Sequence, residues 1–293
     1  MILVRLQGGL GNQMFQYALG RYLAIRNNAQ LKLDITMLRG NIHGVTKRDY
    51  RLSTFNIEES LATEKEIGWF RKYRFKKGRL WFWYNRLIAD RSRYAWEEHF
   101  NFEPWVLTLK DPVYLDGFWN TEKYFKDIAN VVRSEFTLRN KLSDSSGEIL
   151  SDIERHDESV SIHVRRGDYV TDPKTNAWHG VCSVEYYDKA IQKIAGQSVD
   201  PRFFIFSDDP VWTKEHITTP FPTTYTSSNT ERSEEDMYLM SRCKHNIIAN
   251  SSFSWWGGWL NNNPGKIVIS PKNWFKTPKM DVRDLVPDTW VKL

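Results

Sequence analysis

Two cysteines in 293 residues, Cys182 and Cys243, with no CxxC pair, leave no material for a disulfide framework or a thiolate zinc site. No Asp-x-Asp occurs, so the carboxylate pair that commonly presents a divalent ion to a sugar nucleotide is missing. HExxH, GxxxxGK[ST] and GxSxG are also absent, which removes the zinc-protease, P-loop and α/β-hydrolase signatures. No apolar run reaches the length of about 18 residues needed to span a bilayer. The opening MILVRLQGG passes from an apolar strand straight to glycines, without the pattern of an export signal. A reducing, cytoplasmic setting is therefore expected, with peripheral contact at the inner face of the membrane left open. Charge is not strongly one-sided: Lys+Arg 41 against Asp+Glu 36 gives +5, which permits anionic ligands without demanding nucleic acid. Neither a 20–50-residue repeat nor a low-complexity segment interrupts the chain.

What is present begins with Ser159 to Asp168, SVSIHVRRGD. Val160, Ile162 and Val164 alternate with Ser161, His163 and Arg165, the period of a strand. Gly167 permits a tight turn where that strand ends. Ligands of open α/β sheets bind outside the carboxyl ends of strands, and two guanidiniums there suit a diphosphate. Two other uses of the segment are structural salt bridges and display of Arg166-Gly167-Asp168 as an adhesion tripeptide. Adhesion would need an exposed loop tip.

The rest of the chain repeats a βα rhythm. Strands are expected at 2–6, 31–34, 113–119, 159–164, 202–207, 245–249 and 266–269. Helices are expected at 12–27, 120–136, 184–195, 231–242 and 252–260. Short, nearly continuous apolar strands are what a parallel sheet covered on both faces requires. The polar stretch 141–148 marks the expected division into two domains, 1–145 and 146–293. Residues 69–86 stand apart, with eight aromatics and seven Lys/Arg and no acid. Three uses remain open for them: core aromatics with solvated cations, single-stranded nucleic acid, or an anionic membrane surface.

Further constellations sit at strand ends. Gly8-Gly9-Leu10-Gly11-Asn12-Gln13 joins a strand to a helix, where backbone N–H groups bind anions and side-chain amides can hold a sugar hydroxyl. Asn12 could instead cap the helix. The turn also approaches a dinucleotide fingerprint, with Asp34 near the place of a ribose-binding acid, although Met14 occupies the third glycine position. An NAD(P)-dependent oxidoreductase is the alternative reading of these residues. Asp208 in FSDD could accept from a guanine edge or cap the helix starting at Pro210. Ser252, Phe253 and Ser254 open a helix whose N-terminus suits phosphate, while Trp255 and Trp256 fit either a core or a ligand platform.

Taken together, GGLGNQMFQYA at 8–18, HVRRGDY at 163–169, FSDD at 206–209 and DMYLMSRCKHNIIANSSFSWWGGWL at 236–260 resemble the α-1,2-fucosyltransferases of glycosyltransferase family 11. The resemblance implies a GT-B architecture, an α/β chain with two Rossmann-like domains of mostly parallel sheets facing a central cleft. In that reading the N-terminal domain serves the acceptor and the C-terminal one holds GDP-L-fucose. It implies inverting transfer of fucose to the 2-hydroxyl of a terminal galactoside in a surface glycan, free or lipid-linked, with no metal or other cofactor and no nucleic-acid partner. By motif position Arg165 would meet the diphosphate with Arg166 in support. His163 and Asp208 would lie near ribose and guanine, and Ser252, Phe253 and Ser254 would line the phosphate side. Asn12, in a turn with Gly8, Gly9, Gly11 and Gln13, would reach toward the reacting sugar, and Asp168 would orient an arginine or take a proton.

Overall fold

The computed structural model describes residues 1–40, 48–76, 79–226, 232–277 and 281–293, with Arg79 and Phe82 described by backbone alone. Glu231, the first residue of an expected helix, and Lys77 and Gly78 of the basic-aromatic stretch lie outside the described residues. The chain forms two compact units: Met1–Thr137 with Asp281–Leu285, and Leu138–Met280 with Val286–Leu293. Each is a Rossmann-like domain built on a parallel sheet.

The first unit has four strands, β1 (Ile2–Arg5), β2 (Leu31–Asp34), β3 (Tyr94–Trp96) and β4 (Val113–Asp116), in the order β2-β1-β4-β3. All its pairings are parallel. Between β1 and β2 runs a helix, Leu10–Asn27, buried on nearly every side as far as Ala24. Ile25, the next residue, is exposed. Gly20 lets this helix lie close on the sheet, since a Cβ there would stand 2.3 Å from Val4 Cγ2 and 2.8 Å from Leu31 Cδ1.

The second unit has six strands: β5 (Ser159–Val164), β6 (Arg202–Ser207), β7 (Thr223–Tyr225), β8 (His245–Ile247), β9 (Val268–Ser270) and β10 (Val291–Lys292). Their order is β10-β9-β8-β5-β6-β7, again all parallel. Every residue of β5 is buried, as a central strand covered on both faces must be. The strand order reverses at β5 here and at β1 in the first unit, so each sheet opens a crevice at the carboxyl end of that strand.

Several expectations are corrected. The span 120–136 is not one helix. It forms two 3-10 turns, Glu122–Tyr124 and Lys126–Ile128, before the short helix Ala129–Glu135. The backbone leaves helical geometry at Phe125 (φ −136°, ψ 11°) and again at Ile128 (φ −115°, ψ 23°), which separates the pieces. The expected division at 141–148 is displaced: the chain passes from one unit to the other at Thr137/Leu138, and the polar stretch leads into a helix, Asp144–Glu154. Fully buried Glu235 accepts from Ser143 N at 2.9 Å, Ser143 Oγ at 2.7 Å and Ser146 Oγ at 2.7 Å, binding that start into the second unit. Strands β3, β7 and β10 have only two or three residues and no readable alternation.

Replacing Gly20 by Ala should overpack the helix against β1 and β2. The expected cost is about 1–3 kcal/mol, read as a lower denaturation midpoint in urea with an unchanged slope.

Candidate functional site

In the second unit the chain leaves β5 as Arg165-Arg166-Gly167, flanked by Asp208 and Asp209 after β6 and by Asn250 and Ser251 after β8. Arg165 is held by two carboxylates. Its Nη1 lies 2.8 Å from Asp208 Oδ2, its Nη2 pairs with Asp168, and its guanidinium faces the Tyr169 ring at 5.2 Å. Arg166 sits 3.6 Å over the Trp212 ring and donates from Nε to Asp209 Oδ2 at 3.0 Å, while its backbone N–H donates to Asp208 Oδ1 at 2.8 Å. Gly167 is required here, because a Cβ would stand 2.5 Å from Asp208 Oδ2. Arg166 and Asp168 are both largely buried, so the adhesion reading fails for want of an exposed tip.

This geometry bears on the expected roles of Asp208 and Asp168. Asp208 accepts from the Arg166 backbone N–H through Oδ1 and pairs with Arg165 through Oδ2, while Asp209 caps the helix Pro210–His216 by accepting from Trp212 N at 3.3 Å. Asp168 braces Arg165 and is committed to that pair. The turn is therefore not simply cationic: three carboxylates surround two guanidiniums. Each guanidinium nonetheless carries five N–H donors in a rigid plane, and its charge persists at any working pH.

His163, on β5, is buried beside Phe253 with ring centroids 5.4 Å apart, and its Nδ1 has no hydrogen-bond partner. Burial, with Arg165 adding to it, pushes its imidazolium down to about 3, so the ring is neutral and a poor base. Ser251 caps the helix Ser252–Leu260, accepting from Phe253 N at 3.3 Å. Ser252 and Phe253 are partly exposed at this N-terminus. Ser254 is fully buried and donates to Ala249 O at 3.4 Å and Ser251 O at 3.3 Å, so it supports the turn and does not line a binding surface. Trp255 and Trp256 are core residues. Among the described residues no three His, Cys, Asp or Glu side chains gather as a metal site would require.

In the first unit the crevice lies after β1. Gly8 takes a φ of +77°, and a Cβ on it would meet Asn12 Nδ2 at 2.5 Å. Gly9, not Asn12, occupies the cap of the following helix. Gln13 is fully buried. Its Nε2 donates to Gly8 O at 3.0 Å and Asp49 O at 2.9 Å, and its Oε1 accepts from Arg51 N at 3.0 Å, so it shapes the turn and has no amide left for a sugar. Asn12 is partly exposed and accepts from Asn120 Nδ2 at 3.2 Å. The oxidoreductase reading loses its acid. Asp34 is fully buried, accepting from Tyr114 OH at 2.6 Å and Thr36 N at 2.9 Å, and cannot reach a ribose.

The family model for glycosyl transferase family 11 matches residues 82–293. The chain belongs to that family. An Escherichia coli alpha-1,2-colitosyltransferase is 36% identical over 298 residues, covering 100% of this chain and 99% of that protein. The O-antigen biosynthesis glycosyltransferase WbnK of E. coli is 32% identical over 306 residues, covering 98% and 99%. Mouse galactoside alpha-(1,2)-fucosyltransferase 1 is 26% identical, covering 86% of this chain and 61% of its own length. Two solved structures share the fold. One is an Arabidopsis thaliana FUT1 variant in complex with GDP (TM-score 0.53, 12% identity, 98% of this chain and 74% of that one). The other is the NodZ alpha-1,6-fucosyltransferase soaked with GDP-fucose (TM-score 0.51, 16% identity, 92% and 94%).

In this family 11 chain, sequence reasoning missed Glu97 and Asn120. Glu97 follows β3 and accepts from Phe118 N at 2.7 Å and Trp119 N at 2.9 Å. Burial pushes its carboxyl up to about 7 against the pull of those two donors. The bonds fix a turn in which fully buried Trp119 takes a φ of +58°, an uncommon conformation for a bulky residue, and bring Asn120 beside Asn12. The signal available in the sequence was only the DGFWN turn after a strand. Glu97→Gln would turn an amide N–H toward a backbone N–H. It should lower stability by about 1–3 kcal/mol in urea unfolding, with a larger loss for Ala.

Proposed function

We propose that this glycosyltransferase moves L-fucose from GDP-L-fucose to the 2-hydroxyl of a terminal galactoside, with inversion at the anomeric carbon. The observation that carries the reading is Arg165, braced by Asp168 and Asp208 at the carboxyl end of β5, in a chain of family 11. In the proposed step the galactose 2-oxygen forms a bond to the anomeric carbon as the bond from that carbon to the β-phosphate oxygen breaks. The electron pair goes to GDP, and the hydroxyl proton leaves to solvent or a neighbouring acceptor. Charge grows on the β-phosphate in the transition state, so donors already aimed there lower the barrier. Arg165 and Arg166 supply such donors, and the N-terminus of the helix Ser252–Leu260 adds backbone N–H groups and its dipole. Neutral His163 and the Phe253 ring suit the uncharged part of the nucleotide. The amides of Asn12 and Asn120 suit sugar hydroxyls.

With guanidiniums and a helix terminus facing the leaving group, the reaction is proposed to need no metal ion. A nucleotide-sugar donor puts the work on the cytoplasmic side. Transfer of colitose is the second reading, favoured by the 36% identity to a colitosyltransferase. Colitose is fucose without its 3-hydroxyl, so the distinction turns on whether the pocket hydrogen-bonds that one group.

The test offers GDP-L-fucose and GDP-colitose to a panel of galactose-terminated oligosaccharides, with the new linkage read by NMR. An α-1,2-fucoside formed in excess EDTA is expected. A strict Mg²⁺ or Mn²⁺ requirement would contradict the charge arrangement, and a higher kcat/KM with GDP-colitose would select the second reading. Arg165→Ala should lower kcat by about 10²–10³ in a folded protein, and a loss of only a few-fold would remove Arg165 as the leaving-group stabiliser.

A further inference from the structure

We propose that the described residues of the segment 69–88, in the first unit, form a docking surface for anionic phospholipid. Its described residues form two arms that lie against each other. The helix Glu64–Arg71 and its continuation to Lys76 form one arm, and the helix Phe82–Leu87 forms the other. The arms are tied by Lys76 N donating to Asn85 Oδ1 at 2.9 Å, Asn85 Nδ2 donating to Lys76 O at 2.6 Å, and Tyr84 OH donating to Lys72 O. Ile67 and Phe70 turn inward against Leu3, Tyr94 and Tyr114 of the sheet. The remaining apolar groups do not follow them. Of the fourteen large hydrophobic side chains exposed among the described residues, seven fall in these twenty positions, with Leu80 98%, Leu87 75% and Trp83 66% exposed. A soluble surface scatters such residues singly, whereas clustering marks an interaction site.

The charge of the segment identifies the occupant. From Gly68 to Ala89 the sequence has no acid, and seven Lys/Arg lie among the aromatics. A second copy of the same surface would therefore be repelled, and an anionic partner attracted. Two observations favour lipid over single-stranded nucleic acid. The most exposed groups include the aliphatic Leu80, Leu87 and Ile88, which have no face on which a base could stack. Three of the rings also carry a cation over a face: Lys76 Nζ lies 4.0 Å over Trp81 and 4.2 Å over Tyr84, and Lys72 Nζ lies 4.8 Å over Trp69. Aliphatic and aromatic tips with cations alongside are the composition of an interfacial anchor, whose rings enter the headgroup layer while the cations meet phosphate. Among the described residues no helix is long and apolar enough to cross a membrane, so the contact is one of surface attachment. The proposal stands apart from the transfer reaction, since a chain inactive with GDP-L-fucose could still bind lipid in this way.

The experiment is co-sedimentation of the whole protein with vesicles of phosphatidylcholine alone, or of phosphatidylcholine with about one-third phosphatidylglycerol, at low and high NaCl. Binding is expected to the mixed vesicles only and to weaken with salt. The double variant Leu80→Glu with Leu87→Glu alters two solvent-facing side chains and should bind at least about tenfold less, with its near-UV circular dichroism unchanged. Equal binding to neutral vesicles, no binding at low salt, wild-type binding by the variant, or tighter binding to oligo-dT than to mixed vesicles would each overturn the proposal. The salt series on the unaltered protein decides the matter if the variant does not fold.

Discussion

One guanidinium held between two carboxylates organises the second unit. Arg165 without Asp168 and Asp208 would be a long side chain with many rotamers at the mouth of a crevice. With them it is a fixed donor. The same Asp208 takes the backbone N–H of Arg166 and presses against Gly167, so the turn, the charge and the missing Cβ form one arrangement. Fixed geometry is what electrostatic stabilisation of a developing charge requires, because a donor that must first reorganise gives back much of its benefit. The three carboxylates that hold the two arginines outweigh their charge, so phosphate affinity must draw on donor geometry and on the helix terminus at Ser252 and not on the net charge of the turn.

The first unit follows the same logic with neutral groups. Gln13 and Gln16 are fully buried and spend their amides on backbone on either side of the turn after β1, with Gln16 accepting from Gln7 N at 3.0 Å. Glu97 fixes the turn after β4 that carries Asn120 to Asn12. Both crevices occupy the place where a parallel sheet reverses its strand order. There adjacent crossovers diverge and leave strand ends uncovered. Parallel sheets bury both faces, so chemistry is confined to these edges and to the loops beyond them.

The parallel βα rhythm was legible because buried parallel strands read as apolar runs. β1, β2, β5 and β6 stand within a residue of their expected bounds. The edge strands β3, β7 and β10 were not legible, because two or three residues become a strand only when a neighbour supplies the hydrogen bonds. The helix at Asp144 was not legible, and its stretch reads as the domain division, because its polar, serine-rich start is stabilised by Glu235, far along the chain.

By itself the sequence determined the family and the residues at the strand ends, since order and spacing along a motif are properties of the chain. The tertiary structure decided what each of them does. It set Asp208 against Arg165 as a brace, sealed Ser254 and Gln13 inside their turns, closed Asp34 to any ribose, and brought in Glu97 and Asn120, which no motif announced. The physical reason is that a polar side chain's role depends on which of its donors and acceptors are already engaged, and partners tens of residues away in sequence settle that only when the sheet assembles.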